Sequence, residues 1–289
     1  MQKALQTLLS ILSPEPLGND RFVGQSQDLG WGSIFGGQVL GQGLSAAYHT
    51  VGADRFAHSL HAYFLRRGDS ARPVRLEVER SRDGRSFSSR RVVAFQDDKP
   101  ILHMSCSFQV DEPGHHHQAE PPERVGPEGI PSERELAQRF SDQLPPALRS
   151  GLSQERAIEL RDVDPIHPKH LEPREPVRQL WLRAADELPE DRRLHQCLLA
   201  YASDFYMLST VMRPHAVHWF EPEMQVTSID HSIWFHRPSR IDTWLLHHMT
   251  SPASSGARGL ALGRFYDQAG HLVASTAQEG LVRDSRLQP

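Results

Sequence analysis

The sequence predicts an α+β protein in which one unit, a helix followed by long antiparallel strands, occurs twice. Two observations predict this. The stretch "HSLHAYFLRRGD" in the N-terminal half resembles "SIDHSIWFHRPSR" in the C-terminal half, so that Phe64 corresponds to Phe235 at an offset of 171 residues. Two polar-tipped hairpins, over residues 88–109 and 256–279, align at an offset of 170 residues. Such repetition indicates a duplicated supersecondary unit and two packed sheets.

The helices follow from the spacing of apolar and small residues. Apolar side chains at helical spacing near the N-terminus, followed by Pro14 and Pro16, predict a short docking helix. The stretch "FGGQVLGQGLSAAYHTV" then places Gly37, Gly41 and Ser45 one turn apart. Each glycine costs a helix interior about 1 kcal/mol. We therefore expect this helix to be buried, with its backbone close to a sheet wrapped around it.

Proline and charge divide the chain into three segments. Residues 111–177 are rich in both, which predicts a linker with one short helix over residues 132–144. Residues 1–110 and 178–289 then form the two halves. Each half ends in a hairpin whose strands alternate apolar and polar residues on either side of a turn.

Composition and charge exclude several functions. The net charge is -4 with His neutral, and the charges are interspersed, so neither a nucleic-acid footprint nor a membrane patch is expected. No apolar run is long enough to span a membrane. The basic pairs at residues 66–67, 90–91 and 192–193 are interpreted as solvated surface. Cys106 and Cys197 have neither metal spacing nor a disulfide pattern, which fits a cytoplasmic protein.

Three local motifs lack the pattern that a site would need. "GQGLSA" matches a dinucleotide fingerprint, but its glycines lie inside a helical pattern with no parallel strands around it. "GLSAA" lacks the last glycine and the preceding strand of a Ser nucleophile elbow. The histidines at 115–117 and 247–248 do not converge as ligands would, and surface histidines are the simpler interpretation. We therefore predict no metal and no cofactor.

The stretch "LLAYASDFYML" contains one carboxylate, Asp204, among apolar residues. If the stretch is a continuous helix, the residues three and four positions away are all apolar or aromatic, so Asp204 has no polar face to occupy. Two interpretations stay open. Either Ser203 or Asp204 caps a helix over residues 205–212, or a continuous helix projects Asp204 into a cleft as a base that activates water.

Two strand residues are candidate partners for this carboxylate. In "EMQVTSIDHSIWF" the period of two places Ser228 on the face of Asp230, Ser232 and Trp234. In "HLVASTAQEGLV" Gln278 lies on a face of small and apolar residues, where a buried amide needs a hydrogen-bond partner. From the pattern alone, a structural and a functional role stay open for both residues.

Several motifs in order resemble the type II acyl-CoA thioesterases of bacteria, the double hotdog family: "FGGQVLGQ", "HSLHAYFLRRGD", "DGRSFSSRRV", "YASD", "IDHSIWFHRP" and "VASTAQEG". The likeness covers nearly the whole chain. It implies a tandem (double) hotdog fold, in which two helices are each wrapped by antiparallel sheet and the sheets join edge to edge. It also implies an acyl-CoA substrate and a homo-oligomer, either a dimer or a tetramer.

The resemblance also implies a catalytic set of Asp, Thr and Gln, which falls on Asp204, Ser228 and Gln278. Here Ser replaces Thr and lacks the methyl group that restricts χ1. The implied reaction is hydrolysis of fatty acyl-CoA to free fatty acid and CoA by direct attack of water, with Asp204 as base. Phe108 occupies the position of Gln278 in the first half, so we expect one active site per chain, mainly from the second half.

Two alternative functions stay open. A 2-enoyl-CoA hydratase of hotdog fold resembles its relatives in a "GDxNPxH" string, whereas the only Asn in this chain is Asn19. A non-catalytic acyl-CoA binding or sensing protein would bind the thioester without turning it over. The intact Asp204 and Gln278 argue mildly against that second alternative.

Overall fold

The structure is a computed structural model, and it describes residues 1–30, 32–143, 154–167 and 171–287. These residues form one antiparallel sheet of thirteen strands together with five α-helices. Within the same residues, no helix combines the length and the apolar character needed to cross a membrane.

The two halves contribute similar sets of elements. The N-terminal half contains helices α1 (Lys3–Ile11) and α2 (Gly36–Tyr48) and strands β1 (Glu15–Gly18), β2 (Arg21–Gly24), β3 (Arg55–Phe64), β4 (Val74–Asp83), β5 (Phe87–Gln96) and β6 (Lys99–Val110). The rest of the chain contains helices α3 (Glu133–Arg139), α4 (Arg192–Ala202) and α5 (Met207–Met212) and strands β7 (Ile158–Asp162), β8 (Val177–Ala184), β9 (Met224–Ser228), β10 (Asp230–Phe235), β11 (Leu245–Ser255), β12 (Arg258–Asp267) and β13 (Leu272–Asp284).

The sheet is continuous across the two halves. The strand order is β1-β2-β4-β5-β6-β3 in the first half and β10-β13-β12-β11-β8-β7 in the second, with β9 also paired to β13. The halves meet where β3 pairs with β10, and His61 lies opposite Ser232 there. Because these two residues differ by the repeat offset of 171, equivalent positions meet at a local two-fold axis. The expected edge-to-edge joining is confirmed.

Helix α2 lies in the core, and eleven of its thirteen residues are buried, as its glycine content predicts. Two of its glycines, however, allow the close approach of a second helix rather than of a sheet. A Cβ atom on Gly37 would lie 2.1 Å from the carbonyl oxygen of Tyr201, and one on Gly41 would lie 3.0 Å from that of Cys197, both on α4. Gly43 faces the sheet through Met104 of β6, and Gly36 lies beside Phe64 of β3 as well as Asp204. The expected close approach to a sheet is therefore wrong for Gly37 and Gly41.

Two shorter helices besides α2 match their sequence signals. Helix α1 buries Leu5, Leu8 and Ile11, which confirms the docking helix. Helix α3 confirms the short helix expected near residue 132, and a capping box between Ser132 and Glu135 closes its N-terminus. It ends before the expected residue 144, which lies outside the described residues.

The proline-rich segment between the halves also contains a strand that the sequence analysis missed. Strand β7 pairs with β8 at the far edge of the sheet and buries alternate residues, Ile158, Leu160 and Asp162. The proline and charge on either side of this five-residue strand hide its short alternation. The segment boundaries at residues 110 and 177 stay a prediction.

Two surface interpretations are wrong. Arg90 is 1% exposed and donates to the Thr50 hydroxyl at 2.7 Å and to the Asp83 carboxylate at 2.6 Å. His247 is fully buried, and its ring stacks on Phe265 with 3.9 Å between the centroids. Both side chains lie on the inner face of a strand, where a polar group needs partners that the sequence does not reveal.

Candidate active site

Asp204 lies in a turn between helices α4 and α5. The helix ends at Ala202, and Tyr206 adopts a left-handed conformation with φ 65° before α5 begins. The expected continuous helix is therefore wrong. The capping alternative is also wrong, because no side chain caps α5.

The turn is held by the side chain of Tyr206. Its hydroxyl donates to Glu133 at 2.7 Å, and the Arg178 guanidinium lies 4.9 Å from the centre of its ring. These contacts offset the cost of a left-handed residue that is not glycine, roughly 1 to 2 kcal/mol. Strained backbone of this kind is typical of functional sites.

The Asp204 carboxylate reaches across the core to the other central helix. Its Oδ2 accepts a hydrogen bond of 2.9 Å from the backbone N–H of Gly37, in the first turn of α2. Phe35, the N-cap residue of α2, makes no side-chain cap bond. Asp204 thus serves as the cap of a helix 167 residues away in the chain, and the positive end of that helix stabilises its charge.

The other two candidate residues meet the same carboxylate. The Gln278 amide nitrogen donates to Asp204 Oδ1 at 2.7 Å and to Ser228 Oγ at 2.7 Å. Gln278 is 1% exposed and lies in the middle of β13, while Ser228 is the last residue of β9. The structure therefore brings together all three residues that the sequence singled out.

A β-bulge at Ile229 aims Ser228 into this site. Ser228 pairs with Gly280, but Ser232 pairs with Ala277, so β9 and β10 hold one residue more than the facing stretch of β13. Beyond the bulge the faces are exchanged. His231, Ile233 and Phe235 are buried, whereas Asp230 and Ser232 are partly exposed and Trp234 is exposed. The expected common face of Ser228 with Asp230, Ser232 and Trp234 is wrong.

The environment of Asp204 changes its acidity. Burial raises the pKa of Asp204 to about 7, although the hydrogen bonds from Gln278 and Gly37 work in the opposite direction. A carboxyl group with such a pKa is present in both protonation states near neutral pH. It can accept a proton and return it, which is the requirement for a general base.

The three side chains open into a cavity of about 870 Å³. Its walls are largely apolar and include Val39, Leu102, Leu136, Phe140 and Met207. Gly36 lies beside the carboxylate, and a Cβ atom there would be 2.7 Å from Asp204 Oδ2. In the described ranges, no three His, Cys, Asp or Glu side chains are grouped as metal ligands would be.

Two contributors to the site were missed from the sequence. The sequence did not indicate that the backbone N–H of Gly37 contributes to the site, because the row of glycines was interpreted only as a sign of close packing. His231 is buried beside Gln278, but the sequence analysis gave this residue no role in the site. In the first half, Phe108 is fully buried and packs edge-on against Tyr48, so an apolar ring occupies the place of the amide.

A helix pair enclosed by antiparallel sheet, with a buried carboxylate facing an apolar cavity, defines the class of hotdog-fold thioester hydrolases. Comparisons with known proteins agree. Residues 163–281 match the model of the acyl-CoA thioesterase family, and residues 26–109 match the model of its N-terminal domain. The chain is 42% identical to acyl-CoA thioesterase 2 of Haemophilus influenzae, with 99% of this chain and 100% of that protein covered. It is 39% identical to human acyl-coenzyme A thioesterase 8, with 95% and 88% covered. The chain belongs to the acyl-CoA thioesterase family.

Solved structures show the same architecture. An acyl-CoA thioesterase II, TesB2, from Mycobacterium marinum superposes with a TM-score of 0.77 at 35% identity, and 96% of this chain and 98% of that chain are covered. A protein with a hotdog fold from Alicyclobacillus acidocaldarius superposes with a TM-score of 0.75 at 18% identity, covering 96% and 98%. The predicted tandem hotdog fold and the predicted family are confirmed.

Proposed function

We propose that the protein hydrolyses fatty acyl-CoA to free fatty acid and CoA by direct attack of water. One observation carries this proposal, namely the contact of Gln278 with both Asp204 and Ser228 inside an apolar cavity. Asp204 takes a proton from the water molecule, and the oxygen of that water molecule bonds to the thioester carbonyl carbon. The carbon–sulfur bond then breaks, and Asp204 returns the proton to the CoA thiolate. No acyl-enzyme forms.

Ser228 and Gln278 have different parts in this reaction. Gln278 donates both amide hydrogens, and so fixes the carboxylate and the hydroxyl relative to each other. Ser228 accepts one of these hydrogen bonds, which leaves its own proton to hold the attacking water. We place the developing oxyanion at the N-terminus of α2, because Gly36 lines the cavity there. A preorganised backbone donor of that kind contributes about 3 to 4 kcal/mol.

The cavity divides the substrate between two environments. The apolar wall between α2, α3 and α5 accepts the acyl chain. Arg66 and Arg67 lie exposed at its rim, and their positive charge suits the CoA phosphates. Because Phe108 replaces the amide in the first half, each chain has one active site.

We also propose that the protein works in the cytoplasm, in fatty acid metabolism, as a homo-oligomer, a dimer or a tetramer. Cys106 and Cys197 are unpaired and buried, which suits a reducing compartment. Tyr63, Trp234 and Leu262 are exposed on strands of the sheet, and apolar side chains of this kind are typical of subunit contacts.

Release of free thiol from a panel of acyl-CoAs, from short to long chains, tests the proposed function. We expect turnover by the purified protein, and the rates across the panel give the chain-length preference. Tight binding of acyl-CoA with no release of thiol would instead identify a binding or sensing protein. Hydration of a 2-enoyl-CoA in place of thiol release would identify a hydratase.

The rate should depend on pH through Asp204. Because the base works only when ionised, kcat/KM should fall about tenfold per pH unit below the pKa of about 7 and level off above it. Thiol release followed by a probe that is insensitive to pH measures this profile. A flat profile from about pH 5 to pH 8 would exclude a base with this raised pKa.

Ser228→Ala should lower kcat by about tenfold, since a water molecule can replace the hydroxyl that holds the nucleophile. Ser232→Ala is the matched control, because it removes the same hydroxyl from a partly buried strand serine that contacts His61 and does not line the cavity. That control should keep the normal rate. A complete loss of activity in Ser228→Ala would show that the hydroxyl does more than hold water.

A further inference from the structure

The Gln278 side chain has one atom whose role is unexplained. Its nitrogen donates to Asp204 and Ser228, but its oxygen, Oε1, is buried and accepts no hydrogen bond within the described residues. A buried carbonyl oxygen without a donor is costly, and native structures rarely keep one. The terminal torsion of a glutamine is broad and roughly two-fold, so this amide needs a further contact to fix its orientation.

His231 is positioned to make that contact. Ser232 pairs with Ala277, so the next step in the antiparallel register places His231 opposite Gln278. His231 is fully buried, and its Nδ1 has no hydrogen-bond partner within the described residues. Two neighbouring buried residues thus each have one unsatisfied polar atom.

The remaining nitrogen of His231 determines which tautomer is present. The Ser203 hydroxyl has one proton for two acceptors, the carbonyl oxygen of Ala200 at 2.9 Å and His231 Nε2 at 2.8 Å. If the serine proton goes to Nε2, the imidazole proton is on Nδ1 and can satisfy Gln278. In the opposite tautomer Nδ1 carries no proton, so its lone pair would face the Gln278 oxygen without a hydrogen bond.

The surroundings keep this histidine neutral. Burial lowers the pKa of His231 to about 3, with a smaller opposing effect from Gln278. His247 on β11 lies close enough to interact with it and is itself kept neutral by burial, which lowers the pKa of His247, and Asp204 bonds to the Gln278 amide nitrogen. The His231 ring is therefore neutral near pH 7 and places no positive charge beside Asp204. A neutral ring has a single N–H to donate.

We propose that His231 is a positioning residue whose Nδ1–H donates to Gln278 Oε1 and so holds the amide with its nitrogen toward Asp204 and Ser228. This inference rests on the proposed role of Gln278 in hydrolysis. Without the donor, the amide is held only through its nitrogen and its orientation is less restrained, which weakens its hydrogen bond to the Asp204 carboxylate. The carboxylate then loses part of the hydrogen bonding that favours its ionised form.

A pair of substitutions tests the proposal. His231→Leu should lower kcat about thirtyfold with little change in KM, and should move the acid limb of the pH profile to higher pH. His231→Asn should restore most of the rate and the normal limb, because the Asn amide can donate from nearly the position of Nδ1. Equal, unshifted profiles for wild type and His231→Leu would overturn the proposal.

Two further variants separate this proposal from the proposed function. His231→Leu should add no loss to Gln278→Ala, because both act through one group. If Gln278→Ala keeps the normal rate, the proposed role of Gln278 fails. If Gln278→Ala is impaired while His231→Leu is not, only the role of His231 fails. His247→Leu removes another buried histidine, and should lower the melting temperature without moving the acid limb.

The tautomer of His231 can be measured on the unmodified protein, so this test does not depend on whether a leucine variant folds. The ring ¹⁵N spectrum at neutral pH, with the His231 signal assigned from its absence in His231→Asn, reports the tautomer. We expect a neutral ring protonated at Nδ1. Protonation at Nε2 would overturn the proposal even if every variant were impaired.

Discussion

Asp204→Asn is expected to lower kcat at least a hundredfold while the protein stays folded. The amide cannot take a proton from water, and a hundredfold loss corresponds to roughly 3 kcal/mol of transition-state stabilisation. Thiol release at saturating acyl-CoA measures the rate, and circular dichroism checks the fold. The residual rate should no longer fall at low pH, because the carboxyl group that titrates has been removed.

The control for this change is Asp242→Asn. The Asp242 side chain is 4% exposed, accepts a backbone hydrogen bond of 2.9 Å from Leu188 and pairs with Arg240 at 2.6 Å, so the same chemical change is made at a carboxylate with a structural role. Its carboxylate does not line the cavity. We expect lower stability and a normal kcat. Near-normal turnover by Asp204→Asn would show that another group activates the water.

Gly37→Ala is expected to have the largest effect on stability. The new Cβ atom would lie 2.1 Å from the backbone oxygen of Tyr201 and 2.6 Å from the ring of Phe35, so helices α2 and α4 must separate. Overpacking of this kind costs about 3 kcal/mol, which exceeds the roughly 1 kcal/mol that alanine contributes to a helix. Activity should fall as well, because the Gly37 N–H holds Asp204. Urea unfolding and thiol release measure the two effects.

Gly43→Ala makes the same change on the same helix and serves as the control. Its Cβ atom would meet Met104 Cε at 2.6 Å, and that atom is the end of a flexible side chain that can turn aside. We expect stability and activity close to those of the unmodified protein. If the two variants were equally stable, the contact between the helix backbones would not be what requires glycine at position 37.

Much of the fold is encoded in patterns that are local in the sequence. Alternation of apolar and polar residues identifies the hairpins β5–β6 and β12–β13, and a glycine-rich apolar run identifies α2 as buried. The repeat offset of 171 reappears at the junction of the two halves, where His61 pairs with Ser232. These features depend on the period of a strand or a helix, and a single sequence displays that period directly.

The candidate site was found only in part, because its geometry depends on contacts between distant segments. Asp204 and Gln278 stood out as polar residues among apolar neighbours. The turn that presents Asp204, however, depends on Tyr206 and its contact with Glu133, and the bulge at Ile229 exists only because β9 and β10 both pair with β13. No local period predicts an interruption that a partner 50 or more residues away imposes.

The sequence by itself determined the duplicated architecture, the buried glycine helix and the three polar residues of the second half. Only the tertiary structure decided that Asp204 caps α2, that His231 rather than Asp230 faces inward, and that Arg90 and His247 are buried. The physical reason is the same in each case. Whether a polar side chain is satisfied in the interior depends on which donors and acceptors the fold brings within about 3 Å, and these lie far away in the sequence.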